Sequence, residues 1–514
     1  MEELHRTAAW LFVSAFSINH TVPYSVIGVQ EAHLATHYNP LYWACACLCC
    51  NAGSTVQDVD FDEDEGSDVQ SDETPVDGSG ELTEASEKKK RAAPNYGKIA
   101  KAIDDVQRSG VEIAFPDINT AGEDFIPDVK NNRIIYSLRS VNSVGDALFD
   151  EIVANRPYSS LKDFVSRVSA TPAQIVGLIK AGCFDELEKE NRKLTVKKYL
   201  KALAEKDIPV KDTLTAAHIK RAIASKMPLE GFQQDVWMFN FKKWIDEHQC
   251  DVSCKDRYLL TDQDAISFFN RYVKAEMNEK KDEYSYLPRN GIAVKKSAFL
   301  KVFKKKTVDL RGFFDSEEGR KKYAEHMRKL YFEELCEKFC KGSIPQWEME
   351  QMCFYHETHE LAGVAERSYG IVDFFKLPET PEYEVYVNQS GEERKSPKTC
   401  AIAGTIVHVE NGRHTVWLLT THGVVNAKFY GETFNKYKSA ISRIDPKTGI
   451  KTVIDKPWLK RGEKILIYGY RREDAFVVRS SKFGGRSRTI CLIEWVNPNG
   501  ELSLKFARNA EEKA

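Results

Sequence analysis

The spacing of apolar residues divides the chain into a long helical part and a shorter β-rich part. Over residues 1–50 and 96–370, apolar positions mostly recur every three or four residues, as in amphipathic helices. From Thr399 the period changes to two, in five short segments separated by turns. Such alternation predicts a small antiparallel barrel. We therefore expect a multidomain α+β protein, mostly helical in its N-terminal two-thirds, with a C-terminal five-stranded β-barrel of the OB type.

Two features interrupt the helical pattern. A turn near Asn19 and Pro23 is predicted to separate two helical pieces in the first 50 residues. From Asp58 to Glu87 the chain has 13 Asp and Glu and no Lys or Arg. Such a segment cannot bury enough apolar surface to become ordered, so we predict a disordered acidic insertion over residues 51–95.

Composition excludes several classes of protein. The 514 residues suggest several domains, and 74 Lys and Arg against 76 Asp and Glu give a net charge of −2, which excludes a uniformly basic coat protein. No stretch has the length and apolarity of a membrane span, and we recognise no signal peptide. The 12 cysteines do not form a disulfide framework, which favours a reduced, cytosolic setting.

A hairpin within residues 137–153 (SLRSVNSVGDALFDEIV) is the first candidate for DNA contact. An apolar stretch, a tight turn at Ser143, Val144 and Gly145, and a second amphipathic helix predict a helix-hairpin-helix. The turn exposes backbone N–H groups at the start of the second helix, and these donors, with the helix dipole, favour a phosphate oxygen. Such contacts carry no sequence preference. An ordinary helix corner would give the same pattern.

The predicted barrel is the second candidate, because aromatic residues beside basic ones on an OB-fold can stack single-stranded bases. The suitable residues are Lys428, Phe429, Tyr430, Tyr437, Lys438, Arg471 and Arg472. The alternative is that alternate aromatic residues form the barrel core, which we favour for Phe429. Barrels of this type also serve purely as protein-binding modules.

A lysine cluster at residues 295–306 is the third candidate. It includes Lys295, Lys296, Lys304 and Lys305, which could contact phosphates. A solvated helix face is the commoner origin of such a cluster.

Signals for metal or nucleotide chemistry are weak. The group Cys45, Cys47, Cys49 and Cys50 lies in an apolar run without zinc-type partner spacing, so we interpret these residues as thiols in a core. There is no phosphate-binding loop of the P-loop type, and no paired aspartates on an apolar strand that could hold catalytic Mg²⁺. We expect no metal, cofactor or catalytic residue in this chain.

Read in order, the motifs resemble the alpha subunit of the bacterial (C-family) DNA polymerase III. Residues 16–44 are similar to the end of its fingers region. The helix-hairpin-helix domain is represented by residues 115–125 (its Pro-Asp-Ile-Asn-x-Ser motif), 133–145, 156–168 and 178–187. Residues 347–361 resemble its Trp-Glu-x-Glu…Phe-Tyr…His-Pro-Leu helix, with Glu360 where proline is expected. The barrel lies where the family has its OB domain.

This resemblance implies a division into seven segments. They are 1–50, the end of the fingers; 51–95, the acidic insertion; 96–190, a tandem helix-hairpin-helix domain; 191–343, a charged helical expansion; 344–397, a helix and linker; 398–480, the OB-fold; and 481–514, a C-terminal extension.

Two departures from the family's pattern bear on function. The family's hairpin reads Lys-Gly-Val-Gly, whereas this chain has Asn142-Ser143-Val144-Gly145, which weakens the case for phosphate binding. The family's PHP domain, palm and catalytic aspartates would precede Met1, so we expect the C-terminal part of a split or truncated replicase, and a split replicase suggests a mobile or viral genome. The chain would then not be an active polymerase alone.

The apolar residues near the N-terminus would form an unusually large exposed patch if they had no partner. We predict that they contact a separate polypeptide that carries the palm. The predicted interface residues are Trp10, Phe12, Phe16, His20, Tyr24 and Trp43.

The implied function is DNA replication. The chain would complete the fingers and position primer–template duplex and single-stranded template, while Mg²⁺ would lie on the palm-bearing partner. The family also implies a sliding clamp as partner, although we recognise no short clamp-binding motif. Two alternatives remain: a stand-alone module that binds single-stranded DNA or a replisome protein, and a structural scaffold. The expected location is the cytoplasm of a bacterial or virus-infected bacterial cell, with no membrane contact.

Overall fold

The fold is given by a computed structural model. It describes residues 18–37, 39–52, 95–248, 256–288, 291–356, 358–387, 391–444, 451–483 and 486–508. The chain forms two compact units, one of Met1–Thr195 with Gly342–Ala514 and one of Val196–Lys341. The acidic segment 58–87 and residues Trp10, Phe12 and Phe16 lie outside the described residues.

The first unit begins with helices α1 (Ile18–His37) and α2 (Pro40–Asn51). The predicted turn near Asn19 and Pro23 is wrong, because α1 runs through Pro23. Proline removes only one backbone donor, and here that loss falls near the start of a long helix. The break lies instead before Pro40, whose fixed φ suits the first helical position and whose neighbour Asn39 caps α2 by accepting from the Leu41 N–H.

A compact helical domain with short strands follows, in agreement with the sequence pattern. Its elements are α3 (Tyr96–Arg108), β1 (Glu112–Ala114), β2 (Ile126–Asp128), β3 (Arg133–Ile135), α4 (Asp146–Ala154), α5 (Leu161–Arg167) and α6 (Pro172–Lys180). The strands form a sheet in the order β1-β3-β2. Helix α3 buries Ile99, Ile103 and Val106 on one face, which is the period of three and four seen in the sequence.

The second unit contains helices and a small sheet. Its elements are α7 (Arg192–Asp207, which begins in the first unit), α8 (Ala216–Ala224), α9 (Gln233–His248), β4 (Arg257–Leu260), α10 (Gln263–Phe268), β5 (Tyr284–Leu287), β6 (Gly291–Lys295), α11 (Lys296–Lys306), α12 (Val308–Asp315) and α13 (Glu317–Phe339). The sheet, in the order β4-β6-β5, was not predicted from the sequence. Strands of four or five residues between charged segments give too short an alternation to recognise. The unit has its own core, which includes Phe269, Phe299 and Phe314.

The chain returns to the first unit through α14 (Ile344–Met352) and a β-hairpin of β7 (Tyr383–Val387) and β8 (Glu393–Pro397). The amino-acid sequence predicted only a helix and linker here, and the hairpin corrects that prediction. All five residues of β7 are exposed, and such a strand lacks the apolar-in, polar-out alternation that identifies a half-buried one.

The predicted five-stranded barrel is confirmed, but it is mixed rather than wholly antiparallel, because β11 and β15 pair in parallel. It comprises β9 (Cys400–Glu410), β10 (Thr415–Thr420), β11 (Gly423–Lys428), β14 (Lys464–Arg472) and β15 (Ala475–Val478). Strands β9, β10 and β11 form a meander; β11 pairs in parallel with β15, and β15 and β9 both pair with β14, which closes the barrel. Helix α15 (Gly431–Lys438) and the hairpin of β12 (Ile441–Ile444) and β13 (Lys451–Asp455) lie between the third and fourth barrel strands. This is the strand order of an OB-fold.

Residues beyond the barrel continue its sheet. After the small hairpin of β16 (Ser481–Phe483) and β17 (Arg486–Arg488), strand β18 (Ile490–Val496) pairs with β14, and β19 (Leu502–Lys505) pairs with β18. Arg508, which is 2% exposed, anchors the end of the described chain through Asp455 and the carbonyl of Lys456. The C-terminal extension is therefore part of the barrel domain.

Candidate nucleic-acid interface

The hairpin predicted to bind phosphate has only one true helix. The segment before the turn, residues 138–143, forms successive turns rather than a first helix, which corrects the sequence interpretation. Gly145 is the N-cap of α4, is exposed, and provides no side-chain cap. The first N–H groups of an α-helix have no partner within the helix. The exposed start of α4 is therefore the part of the hairpin that could receive a phosphate.

Ser143 and Val144 face into the protein rather than outward. Val144 is 8% exposed, and its N–H donates to the carbonyl of Val141. The neighbouring Asn142 N–H donates to the carbonyl of Gln351 on α14 at 2.9 Å. Ser143 packs against α6, where a Cβ placed on Gly177 would lie 2.5 Å from the Ser143 Cβ. Only the Gly145 end of the predicted triplet is open to a ligand.

Charge at the start of α4 is mixed. Arg139 donates from Nε to Asp146 Oδ1 at 2.6 Å, and its Nη1 lies 3.7 Å from Glu123 Oε1. Asp146 is in the first turn of α4, where its charge competes with an incoming anion for the helix dipole. A phosphate at this position would share Arg139 with that carboxylate.

The Pro-Asp-Ile-Asn motif has a structural role. Asp117 Oδ1 accepts from the backbone N–H groups of Asn119 and Thr120, which forms a local turn. The Asn119 amide then makes two hydrogen bonds to the backbone of Tyr158, at 2.9 and 2.8 Å. Arg156 donates to the carbonyl of Ile118 at 2.8 Å. The motif thereby ties the turn after β1 to the segment that precedes α5.

The Trp-Glu motif of α14 supplies a buried ion pair. Arg192 Nη1 lies 3.0 Å from Glu348 Oε1, with the side chains 8% and 0% exposed. Arg192 also donates to Asp185 and lies over the Phe115 ring at 4.1 Å. Burial acts to lower the pKa of Arg192, but the bonds to the two carboxylates outweigh it and raise that pKa. This cluster joins α14 to the helix-hairpin-helix domain within the first unit.

Glu360, which stands where the family has proline, also has structural partners. Its carboxylate lies 3.1 Å from Lys464 Nζ on β14 and accepts from the Tyr355 hydroxyl at 3.2 Å. Next to it, His359 donates from Nε2 to the carbonyl of Leu419 and accepts the Leu361 N–H at Nδ1. Burial lowers the pKa of His359 to about 4, so the ring is neutral at physiological pH. His359 and Glu360 therefore fix this part of the chain against the barrel.

The outer surface of the barrel brings basic and aromatic residues together. On β11, Val425 and Ala427 point into the core, so Lys428 points outward. Directly after the strand, Phe429 is buried and Tyr430 is exposed. On β14, Ile465 and Ile467 are in the core, so Tyr470 and Arg472 point outward. The strand register places Lys428 beside Val477, and Val477 beside Tyr470. We call the outward residues Lys428, Tyr430, Tyr470, Arg472 and Arg479 the barrel face.

The electrostatic environment of Tyr470 agrees with this arrangement. Burial raises the pKa of Tyr470, and Tyr430 and Tyr383 raise it further, whereas Arg479 and Arg472 oppose the rise. These groups are therefore close enough to interact. Tyr430 is 60% exposed, so its ring is available for stacking.

Sequence reasoning missed Tyr470 and Arg479 as members of this face. The period-two alternation of β14 and β15 could have given their direction. Their position beside Lys428 depends on the parallel pairing of β11 with β15, which no local pattern reveals.

Three other barrel residues have roles inside the protein. Phe429 and Tyr437 are 6% and 8% exposed and belong to the core, as favoured for Phe429. The Arg471 guanidinium donates to the carbonyl of Leu377 at 2.8 Å and lies over the Phe374 ring at 4.9 Å. Arg471 therefore holds the segment before β7 against the barrel, and we leave it out of the barrel face.

The lysine cluster lies at the end of β6 and along α11. Helix α11 buries Ala298, Phe299, Val302 and Phe303, so the lysines form its solvent side. Lys304 and Lys305 are exposed, whereas Lys295 and Lys296 are half-buried. Lys305 Nζ lies 2.6 Å from Glu276 Oε2, and Lys296 Nζ lies over the Tyr258 ring at 5.3 Å.

Of the predicted partner-interface residues, Tyr24 and Trp43 can be assessed. They are 60% and 38% exposed. His20 belongs to α1, but its side chain lies outside what is described. Helix α2 packs on the domain through Leu41, Cys45 and Leu48, whereas α1 exposes a run of apolar side chains. The exposed residues of α1 are Val22, Tyr24, Val26, Ile27 and Val29.

The described part of the chain has no group of three His, Cys, Asp or Glu side chains that could hold a metal ion. Cys45 is buried and donates to the Phe125 carbonyl at 3.0 Å, but Cys50 is exposed, so the group is only partly in a core. In the same residues, no helix combines the length and apolarity required to span a bilayer.

Comparison with known proteins agrees with this architecture. Residues 110–194 match the helix-hairpin-helix motif family. The chain is 33% identical over 503 residues to "Probable DNA polymerase YorL" of Bacillus subtilis (strain 168) and to "DNA-directed DNA polymerase" of Bacillus phage SPbeta, which is 97% of this chain and 35% of each relative. It is 38% identical over 113 residues, or 22% of this chain and 13% of the relative, to the DNA polymerase III subunit alpha of Thermotoga maritima.

The chain thus spans about a third of the length of the YorL and SPbeta polymerases. The similarity covers nearly all of this chain, including the second unit, which was predicted from the sequence to be a charged expansion relative to the family. The predicted resemblance to the C-terminal portion of a DNA polymerase III alpha subunit, with its helix-hairpin-helix domain, is therefore confirmed and extends to a phage polymerase.

Proposed function

We propose that this chain is the DNA-positioning part of a replicative DNA-directed DNA polymerase whose palm is carried by a separate polypeptide. The helix-hairpin-helix domain would hold primer–template duplex, and the barrel would hold single-stranded template. The observation that carries the proposal is the barrel face, where Lys428 on β11 and Tyr470 and Arg472 on β14 flank β15 in an OB-type barrel. The names of the related proteins, which are DNA polymerases, support a role in DNA replication.

The barrel face has the chemistry that a single strand requires. Exposed tyrosine rings can stack on bases regardless of sequence, and each stack contributes about 1–3 kcal/mol. Lysine and arginine beside them neutralise phosphates and release counterions, which makes binding weaken as salt rises. The three cations and two tyrosines of the face supply both components.

The duplex contact is proposed at the start of α4. There the exposed Gly145 and the following backbone N–H groups could receive a phosphate without reading sequence. Ser143 and Val144 would support this turn from inside the domain. Because Asp146 occupies the same helix start, we expect a weaker contact than the family's Lys-Gly-Val-Gly hairpin provides.

The contact with the palm-bearing polypeptide is proposed on α1. Its exposed apolar residues match the predicted end of the fingers region, and burying them would stabilise an association. Mg²⁺ and phosphoryl transfer would belong to the partner. A sliding clamp remains a further proposed partner, and the proposed place of action is the cytoplasm of a bacterial or virus-infected bacterial cell.

The test is native purification of the chain from its own source, followed by mass spectrometry of co-eluting proteins and a primer-extension assay. We expect a stoichiometric polypeptide that carries palm aspartates, and extension that requires both chains. Val29→Glu on α1, where Val29 is 70% exposed, should abolish co-elution. Val308→Glu is the matched control, since Val308 is 59% exposed on α12.

Two outcomes would contradict the proposal. If the chain elutes alone as a stable monomer and still binds single-stranded DNA, it is a stand-alone binding module and the split-polymerase arrangement fails. If it elutes alone and binds no DNA at any salt concentration, a structural role replaces both the split polymerase and the stand-alone binding module.

A further inference from the structure

The second unit differs in charge from the rest of the chain. Residues 196–341 contain 31 Lys and Arg against 23 Asp and Glu, a net charge of +8, whereas the whole chain has −2. A concentration of positive charge in one folded unit favours a polyanionic partner. Charge alone does not distinguish a nucleic acid from other anions. The arrangement of aromatic and basic side chains indicates which kind of polyanion the unit would bind.

Exposed aromatic rings alternate with cations on one surface of this unit. Trp237 on α9 is 46% exposed, and its ring centroid lies 5.6 Å from that of Tyr272. The Arg271 guanidinium lies 5.2 Å from the Tyr272 ring centroid. Two residues further along, Lys274 Nζ lies 5.5 Å from the ring of Tyr286, which is 51% exposed. We call these five residues the aromatic–cation track.

The middle of the track lies on a π-helical turn of the backbone. Residues Phe269–Val273 form a single π-helical turn directly after α10. Phe269 and Val273 are fully buried in the core, whereas Arg271 is exposed and Tyr272 half-exposed between them. Isolated π-turns are rare and are frequently found at functional sites. The turn is a second observation, independent of the charge, that points to this surface.

The track continues toward the lysines of α11. Glu276 lies two residues after Lys274 and pairs with Lys305 and Lys306 at 2.6 and 3.3 Å. Lys301 and Lys304 are exposed on the same helix, and no ion pair to either is found within the described residues. The basic side of α11 thus adjoins the aromatic rings and could follow a phosphate backbone.

We propose that the aromatic–cation track is a binding site for single-stranded DNA. Unpaired bases would stack on the exposed rings of Trp237 and Tyr286, while Arg271, Lys274 and the lysines of α11 would contact phosphates. Duplex DNA fits less well, because its bases are already stacked on each other. The site is separate from the barrel face, so it goes beyond the function proposed above and can fail independently of it.

The test measures binding of the full-length chain to a fluorescent oligo-dT strand of 16 nucleotides at several salt concentrations. Trp237→Ala and Tyr286→Ala should each raise Kd at least about fivefold. Trp495→Ala is the matched control, because Trp495 is 56% exposed but lies in the first unit, and its Kd should not change. Lys274→Ala should reduce the slope of log K against log salt by about 0.7.

Two further measurements separate loss of binding from loss of structure. Trp237→Phe keeps an aromatic face and should restore most of the affinity, and thermal unfolding of each variant should match the wild type. Ultraviolet cross-linking to bromodeoxyuridine strands should label peptides that contain Trp237 or Tyr286.

The possible results are distinct. If the track variants bind like the wild type while Tyr430→Ala weakens binding, the track proposal is overturned and the barrel face stands. If the track variants alone weaken binding, the track stands and the barrel face fails. If the wild-type chain does not bind the strand at low salt, both are overturned.

Discussion

Ser143 occupies space that Gly177 leaves open on α6. A Cβ placed on Gly177 would lie 2.5 Å from the Ser143 Cβ and closer still to Oγ. The Ser143 hydroxyl is buried and has no hydrogen-bond partner among the residues that the structure describes. The polymerase family that this chain resembles has glycine at the position of Ser143. The larger serine fits here because Gly177 has no side chain.

We expect Gly177→Ala to destabilise the first unit. Overpacking against Ser143 costs about 1–3 kcal/mol, and the better helix propensity of alanine recovers up to about 1 kcal/mol of that. Ser143→Gly removes the clash, so Gly177→Ala in that background should be neutral or stabilising. A double-mutant cycle by urea unfolding measures the coupling; additive effects would show that the two side chains do not compete for space.

We expect Glu348→Gln to lower the free energy of unfolding by about 3 kcal/mol, because it leaves the buried Arg192 guanidinium with one carboxylate partner fewer. The matched control is Glu186→Gln in the exposed pair with Lys189, whose side chains are 77% and 75% exposed. That change should cost less than about 1 kcal/mol. Similar losses in both variants would mean that burial does not decide the strength of the Arg192 pair.

Stability should decrease between pH 6.5 and pH 4 because of His359. The pKa of His359 is lowered to about 4 in the folded chain, whereas an unfolded histidine titrates near about 6.5. Over that range the unfolded chain binds a proton that the folded chain does not. The contribution of His359 to stability is therefore fully present above about pH 6.5, and the free energy of unfolding falls by up to about 3 kcal/mol toward pH 4.

Unfolding by urea at pH 7.5, 6 and 5 tests this dependence. His359→Gln retains a donor for the Leu419 carbonyl and an acceptor for the Leu361 N–H but does not titrate. Its stability should therefore change less than that of the wild type. A histidine resonance of the folded protein that titrates near 6.5 and is lost in the variant would contradict the lowered pKa.

The adjacent residues Arg471 and Arg472 should respond differently to substitution. Arg471→Ala removes hydrogen bonds to backbone carbonyls and should destabilise the barrel by about 1–3 kcal/mol. Arg472→Ala should leave stability within about 0.5 kcal/mol and lower the salt slope of single-strand binding by about 0.7. Thermal unfolding and salt titration measure the two effects. An unchanged salt slope in Arg472→Ala would remove that residue from the barrel face.

The amino-acid sequence by itself determined the class of the protein and most of its elements. Period-two alternation identified all five barrel strands, and the apolar spacing predicted the mostly helical character of the preceding part of the chain, because these signals depend only on neighbours along the chain. The order of short motifs, from residues 16–44 to the barrel, was enough to recognise the polymerase family. The core role of Phe429 followed from the same alternation.

The tertiary structure decided which residues share a surface. Tyr470 and Arg479 join Lys428 only because β11 pairs in parallel with β15, and this contact is between strands distant in the sequence. In the same way, Arg192 meets Glu348 across 156 positions of the chain. Trp237 and Tyr286 belong to one track only through Tyr272, which lies in the π-turn, and Lys274, which directly follows that turn. Local periodicity gives each side chain a direction, but only packing gives it neighbours.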